Sequence, residues 1–395
     1  MRFVALDGWR GLSALTVALF HLHANSHLYT FGIIRNSYLF VDFFFVLSGF
    51  VVTSAYLDRL GTARGGTTFL LRRFGRLYPL HLAVTSLFVL IEFGKFLAAS
   101  RGLAPQTPAF SGETSFGALI YNLLLVHSLG LTNGTTWNFP SWSISVEFYT
   151  YVLFALAVTV SARIGAGGRV VLFAGLALAG ALITVGWSTN GMDVTYDLGF
   201  FRCVYGFFFG AIAEWLYAGS ISPRFARMSR ASTTILELAA VSLTIVFVSN
   251  AERYAVSFLA PVVFLPVVLI FAGQRGLLSA VLSSRPMRAI GDWSYSIYMI
   301  HAFIVVDVVG RLVALARRVL PFDFGPVPDP TGDLIFDFGS PFWGDGLVLA
   351  YAALVLAVAS LSYRYVEWPA RRFFNRLADR LDGRRRARAG LPGAP

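Results

Sequence analysis

Cysteine is nearly missing from this 395-residue chain: Cys203 stands alone, so no internal disulfide framework is possible. It reads as a packed core thiol and says little about redox compartment. Lysine is as scarce, Lys95 being the only one. Charge of either sign is low, at 13% of residues against 56% hydrophobic, with a mean hydropathy of +0.66. That balance excludes an ordinary soluble domain. No cleavable leader is read either. Only Arg2 precedes the first apolar run, which continues past His21 without a small-residue cleavage site, so an uncleaved first span is expected. An internal repeat is also missing, which counts against an inverted-repeat transporter. The net charge of +11 rests almost wholly on arginine. In a soluble protein this would point to nucleic acid, but here the arginines flank apolar runs.

What is present is a series of apolar runs approaching the roughly 20 residues needed to cross a bilayer. Candidate spans lie near 8–28, 38–57, 77–97, 142–162, 170–187, 198–217, 235–250, 255–272, 290–313 and 347–366. The run 116–131 is shorter and more polar, with Asn122 and His127. If it does not span and the N-terminus is cytoplasmic, nearly every basic cluster falls inside: Arg59 to Arg76, Arg163 and Arg169, Arg224 to Arg230, Arg275 to Arg288, and Arg371 to Arg388. Asp323, Asp329, Asp333, Asp337 and Asp345 then fall outside. The fold expected is all-α, a polytopic membrane bundle of about ten transmembrane helices plus one re-entrant or surface helix, both termini cytoplasmic. Residues 1–370 form one transmembrane domain. Residues 371–395 form an Arg-rich tail expected to be disordered and to contact anionic lipid. Gly206-Phe-Phe-Phe-Gly210 is a small-xxx-small pair suited to helix packing.

Ionisable residues inside such runs are costly and mark function by default. Arg10 and His21 share the first span. Eleven steps of about 100° return to nearly the same helix face, about 16 Å further along. Asp42 and Ser48 lie on the second span, Glu147 about 8 Å inside the fourth, and His301, with Tyr298, on the ninth. His21, Asp42, Glu147 and His301 all fall in the central-to-outer half of the membrane. They are expected to converge on one polar cavity, where an imidazole beside a carboxylate makes a general base. At the inner mouth of the third span, Arg73 and Arg76 share a face at i, i+3, and guanidinium pairs bind phosphates bidentately. With Arg10 at the same level they form a cytoplasm-facing anion site.

These motifs occur in a fixed order: Leu6-Asp7-Gly8-Trp9-Arg10-Gly11 with Arg-x10-His; Val41-Asp-Phe-Phe-Phe-Val-Leu-Ser-Gly-Phe50; Arg72-Arg-x-x-Arg-Leu-Tyr-Pro79; Trp142-Ser-Ile-Ser-Val-Glu147; Ser294-Tyr-Ser-Ile-Tyr-x-x-His301; and Tyr363-Arg-Tyr-Val-Glu-Trp-Pro369. Together the sequence resembles the acyltransferase 3 family of membrane-bound acyltransferases. The resemblance runs from residue 6 to about 370, and its motifs are jointly very specific. It implies transfer of an acyl group, often acetyl, from cytoplasmic acyl-CoA to a hydroxyl of an extracytoplasmic saccharide or glycoconjugate, in a bacterial inner membrane. It also implies that Arg10 and His21 match the family's essential pair, and Arg73 and Arg76 its Arg-x-x-Arg. Trp9 and Phe40 depart from the usual smaller aliphatic and glycine. No fused esterase-like domain is read, so the standalone type is expected.

The mechanism expected has Arg10, Arg73 and Arg76 holding CoA phosphates while the pantetheine arm runs towards His21. His21 acts as general base, with Glu147 orienting it and Asp42 nearby; a transient acyl-histidine is the variant. Trp137, Trp142, Ser48, His301 and Tyr298 are candidates for substrate contact. Acyl-CoA is a co-substrate, with no tightly bound cofactor, metal or nucleic acid expected. The rival reading is a transporter or flippase of a glycolipid or polar solute, using the same ionisable residues as a proton path.

Overall fold

The computed structural model describes residues 2–60, 63–103, 107–252, 254–319, 325–328 and 334–388. Ten helices carry the apolar runs: α1 (Val4–Phe20), α2 (Phe40–Tyr56), α3 (Ala63–Ser100), α4 (Trp142–Ser161), α5 (Gly165–Trp187), α6 (Gly199–Leu216), α7 (Arg230–Ala251), α8 (Ala260–Ala272), α9 (Arg285–Phe303) and α10 (Pro341–Ser362). Among the described residues, nine helices, including the helical extensions of α2 to α10, are long and apolar enough to cross a membrane. At 17 residues, α1 falls just short of that length, reaching about 26 Å against a hydrocarbon core of roughly 30 Å. The protein is thus the all-α, multi-pass bundle its hydropathy demands.

The ambiguous run 116–131 does not cross. Only Phe116–Leu123 is helical, eight residues capped by the Ser115 hydroxyl, which accepts from the Ala118 N–H at 3.3 Å. Turns and bends follow as far as Asn138. Between α9 and α10, β1 (Gly325–Pro328) and β2 (Leu334–Asp337) form an antiparallel hairpin with Gly325 opposite Asp337. The apolar pattern did not announce it. Asp323, Asp329 and Asp333 lie outside the described residues. The hairpin docks on the chain just beyond His21: the Asn25 N–H donates to the Phe336 carbonyl at 2.9 Å and the Phe336 N–H to the His23 carbonyl at 2.8 Å.

The Arg-rich tail departs from expectation. After a π-helical turn at Tyr363–Glu367, α11 (Trp368–Arg388) continues as helix. It is ordered by packing on α3, where Phe374 lies against Gly75 and Arg72 pairs with Asp379 at 2.6 Å. Residues 389–395 lie outside the described residues.

Glycines decide which helices touch closely. On α2 and α6, Gly49 faces the Phe207 carbonyl and Gly210 faces that of Val46; a Cβ at either position would strike backbone. On α1 and α9, Gly11 meets Ile290 and Gly291, while Gly291 meets the Asp7 carbonyl. This second contact clamps together the two helices that carry Arg10 and His21, and Ser294 and His301.

Candidate functional site

The clamp brings the two intramembrane histidines into contact. His301 Nε2 lies 3.2 Å from His21 Nδ1, with ring centroids 5.0 Å apart. His21 Nδ1 also lies 2.9 Å from the Val17 carbonyl one turn back. A carbonyl only accepts, so this contact keeps the proton on Nδ1 and leaves the lone pair on Nε2. Among the described residues no hydrogen bond reaches His21 Nε2. Tyr351 ties the pair's backbones, its hydroxyl donating to the carbonyls of Ala18 at 3.1 Å and His301 at 3.4 Å. His301 is fully buried, whereas His21 is only partly so.

One helix stripe away, Arg10 donates from Nε to Ser294 Oγ at 2.8 Å and from Nη2 to the Gly291 carbonyl at 3.1 Å. Its Nη2 is also 3.1 Å from Asp7. Arg10 stands on the border of two adjoining cavities. The inner one, about 90 Å³, is lined mainly by apolar side chains with Ser48, Arg73, Glu147, Tyr151 and Tyr298 among them. The outer one, about 450 Å³, is wider and polar and holds Arg2, Asp7, Asp292, Glu367, Arg371 and Arg372. Arg10, Leu47, Val51, Arg76, Ser294 and Tyr295 line both, so the two adjoin across this layer.

The carboxylates do not join the histidines. Asp42 is fully buried and held by Arg202, Nε to Oδ1 at 2.9 Å and Nη2 to Oδ2 at 2.7 Å. Both its oxygens are therefore occupied. Arg202 also donates to the carbonyls of Val194 and Tyr38. Glu147 accepts from the Tyr151 hydroxyl at 2.6 Å, and Ser48 lies 2.9 Å from that hydroxyl. Glu147 thus serves the inner cavity, and the neighbour of His21 is His301. The single polar cavity expected for four residues is divided in three.

The remaining expected residues also sort by position. Arg73 is buried beneath aromatics, its guanidinium carbon 4.8 Å from the Tyr56 ring centre and 5.6 Å from that of Tyr151. Arg76 faces both cavities and makes no ion pair among the described residues. Tyr298 caps the inner cavity: its hydroxyl accepts from Ser143 at 2.9 Å, and its ring lies 5.8 Å from His301. His21 does not line that cavity; the Tyr298–His301 layer stands between. Trp137 and Trp142 are buried, the first donating to the Ser115 carbonyl at 3.3 Å and the second 5.2 Å from the Arg202 guanidinium. Neither is open to a sugar. The sequence reading passed over Arg202, although an arginine inside the run 198–217 is itself the signal, and over Tyr151, and it gave Ser294 a place in a motif but no role.

Comparison with known proteins adds to this geometry. A family model described as an acyltransferase domain matches residues 3–363. Acyltransferase MdmB of Streptomyces mycarofaciens is 27% identical over 342 residues, covering 79% of this chain and 81% of that protein. Peptidoglycan O-acetyltransferase OatA of Listeria monocytogenes is 24% identical over 391 residues, 93% of this chain and 56% of its own length. Putative peptidoglycan O-acetyltransferase YrhL of Bacillus subtilis is 22% identical over 385 residues, 93% of this chain and 54% of its own. The chain spans just over half of these last two. No solved structure matches.

Proposed function

The chain belongs to the acyltransferase family whose domain it fills from residue 3 to 363, and on that footing we propose that it moves an acyl group, most simply acetyl, from cytoplasmic acyl-CoA to a hydroxyl of an extracytoplasmic saccharide. The acceptor class is carried over from the peptidoglycan O-acetyltransferases. In this reading both termini are cytoplasmic, the outer cavity opens inward, and the membrane is the bacterial inner membrane.

The observation that carries the reading is the pairing on α1 of an arginine bordering a basic cavity with an imidazole whose free lone pair lies about 16 Å further along. CoA phosphates would sit against Arg10 and Arg76, and the pantetheine arm would follow the apolar inner cavity past Ser48 and Glu147. Arg73, enclosed by aromatics, adds charge from the wall. The arm must pass Tyr298 to reach His21. There the acceptor hydroxyl gives its proton to His21 Nε2 while its oxygen attacks the thioester carbonyl. The C–S bond breaks, and the imidazolium returns the proton to the departing thiolate. His301 takes the orienting role that Glu147 was expected to fill.

Purified protein in lipid nanodiscs, given radiolabelled acetyl-CoA and a saccharide acceptor, tests this. General-base loss costs about 10²–10⁴ in rate, so His21→Ala should lose at least a hundredfold while keeping its melting temperature. Normal transfer by a folded His21→Ala variant would overturn the base assignment.

A further inference from the structure

The outer cavity carries more positive charge than a pyrophosphate at Arg10 and Arg76 uses. Arg2 is already neutralised by Asp7 at 2.8 Å and Asp292 at 2.7 Å. Arg371 has no ion pair among the described residues, yet it lies near enough to Arg10 to repel it and is itself repelled by Arg76. One buried carboxylate, Glu367, faces all three guanidiniums, and it is turned inward to accept from Ser296 Oγ at 2.8 Å. Arg10 also has Asp7 at 3.1 Å, so Arg76 and Arg371 are left with Glu367 alone, a deficit of two cations against one acid in a cavity that also holds Arg372.

The start of α11 gives that deficit a shape. The π-helical turn at Tyr363–Glu367 sets the register in which Glu367, Trp368, Arg371 and Arg372 all border the cavity. Such turns recur at functional sites. Trp368 lies at i, i+3 from Arg371 and i, i+4 from Arg372, so the three share a helix face. The Arg372 guanidinium sits 4.4 Å from the Trp368 ring centre, which holds the indole in place. A flat aromatic surface beside an unpaired guanidinium suits a purine bearing a phosphate, because guanidinium grips phosphate bidentately.

Resting on the acyl-CoA reading above, we propose that Trp368, Arg371 and Arg372 form a subsite for the 3′-phosphoadenosine end of CoA, separate from the pyrophosphate contacts at Arg10 and Arg76. Arg371 takes the 3′-phosphate and Trp368 packs against the adenine. The enzyme then prefers CoA over its 3′-dephospho form.

Equilibrium binding to the full chain in phosphatidylcholine nanodiscs tests the subsite without requiring turnover. The wild type should bind CoA at least about tenfold more tightly than 3′-dephospho-CoA. Arg371→Ala should abolish that preference while leaving 3′-dephospho-CoA affinity unchanged, Arg371→Lys should retain part of it, and Arg10→Ala should weaken both ligands. A wild type without preference, or an Arg371→Ala variant weakened equally towards both ligands, overturns the subsite. Failure of the wild type to bind either ligand instead refutes the acyl-CoA reading. The same assay with phosphatidylglycerol separates nucleotide from lipid: if the wild-type preference vanishes there, Arg371 is a headgroup contact and the assignment falls.

Discussion

Asp42 and Arg202 illustrate how a buried charge is spent on structure. Removing one member of a buried ion pair strands the other in a low-dielectric interior, at a cost of about 3–5 kcal/mol. Asp42→Ala should therefore lower the melting temperature and the yield of folded protein in detergent, and Asp42→Ala with Arg202→Leu should recover part of the loss. A stable Asp42→Ala protein lacking only activity would instead place Asp42 in the chemistry. Tyr298 is a different case, because it separates the inner cavity from the histidine pair. Tyr298→Ala removes that layer and lets water follow the acyl group, so acetyl-CoA hydrolysis should rise relative to transfer when both products are counted. An unchanged ratio would mean that Tyr298 is not the barrier. At this scale the sequence was only half informative. It flagged every one of these side chains except Arg202 by polarity and depth, but a carboxylate cannot be told from a neighbour's ion-pair partner until the neighbour is known.

Among the elements, the contacts α2–α6 and α1–α9 depend on residues without side chains. Gly210 sits against the Val46 carbonyl, so Gly210→Leu forces the helices apart. Overpacking of this kind costs about 1–3 kcal/mol. Thermal unfolding should show that loss, and an unchanged melting temperature would mean that the helices separate freely. The hairpin β1–β2 has its own electrostatic latch. The Asn25 amide donates to Asp337 Oδ1 at 3.0 Å and the Gly339 N–H to the same oxygen at 2.9 Å, which holds the Asp337 carboxyl below its ordinary range. A carboxylate with a depressed pKa stabilises the docked form above its unfolded value of about 3.9, and that contribution is lost as pH falls through the lower folded value. The protection factor of the Asn25 amide, its exchange rate corrected for the intrinsic pH dependence, should thus stay constant from neutral down to about pH 4 and fall only below it. Helical elements were legible because their apolar runs are long. The hairpin was not, because its strands are four residues each and its stability comes from pairing with the chain beyond His21. Nor was α11, whose arginine-rich composition reads as disorder until Phe374 and Asp379 meet α3.

For the whole molecule, the arrangement of arginines predicts a direction across the membrane. With both termini cytoplasmic, a cysteine at Asn133 should react with a membrane-impermeant maleimide in intact cells, and one at Ser229 only after permeabilisation. Buried Cys203 contributes little background. The opposite pattern would invert the topology, and with it the side proposed for the entry of acyl-CoA. The sequence by itself determined the helical membrane class and the family. Hydropathy is a sum over neighbouring residues, and motif order is linear. Only the tertiary structure decided which polar groups meet. That His301 rather than Glu147 stands beside His21, that Asp42 is bound to Arg202, and that α11 closes the basic cavity all depend on where glycine-set contacts place helices far apart in the chain. Pairing between helices is a property of three-dimensional packing, and no periodicity along one of them encodes it.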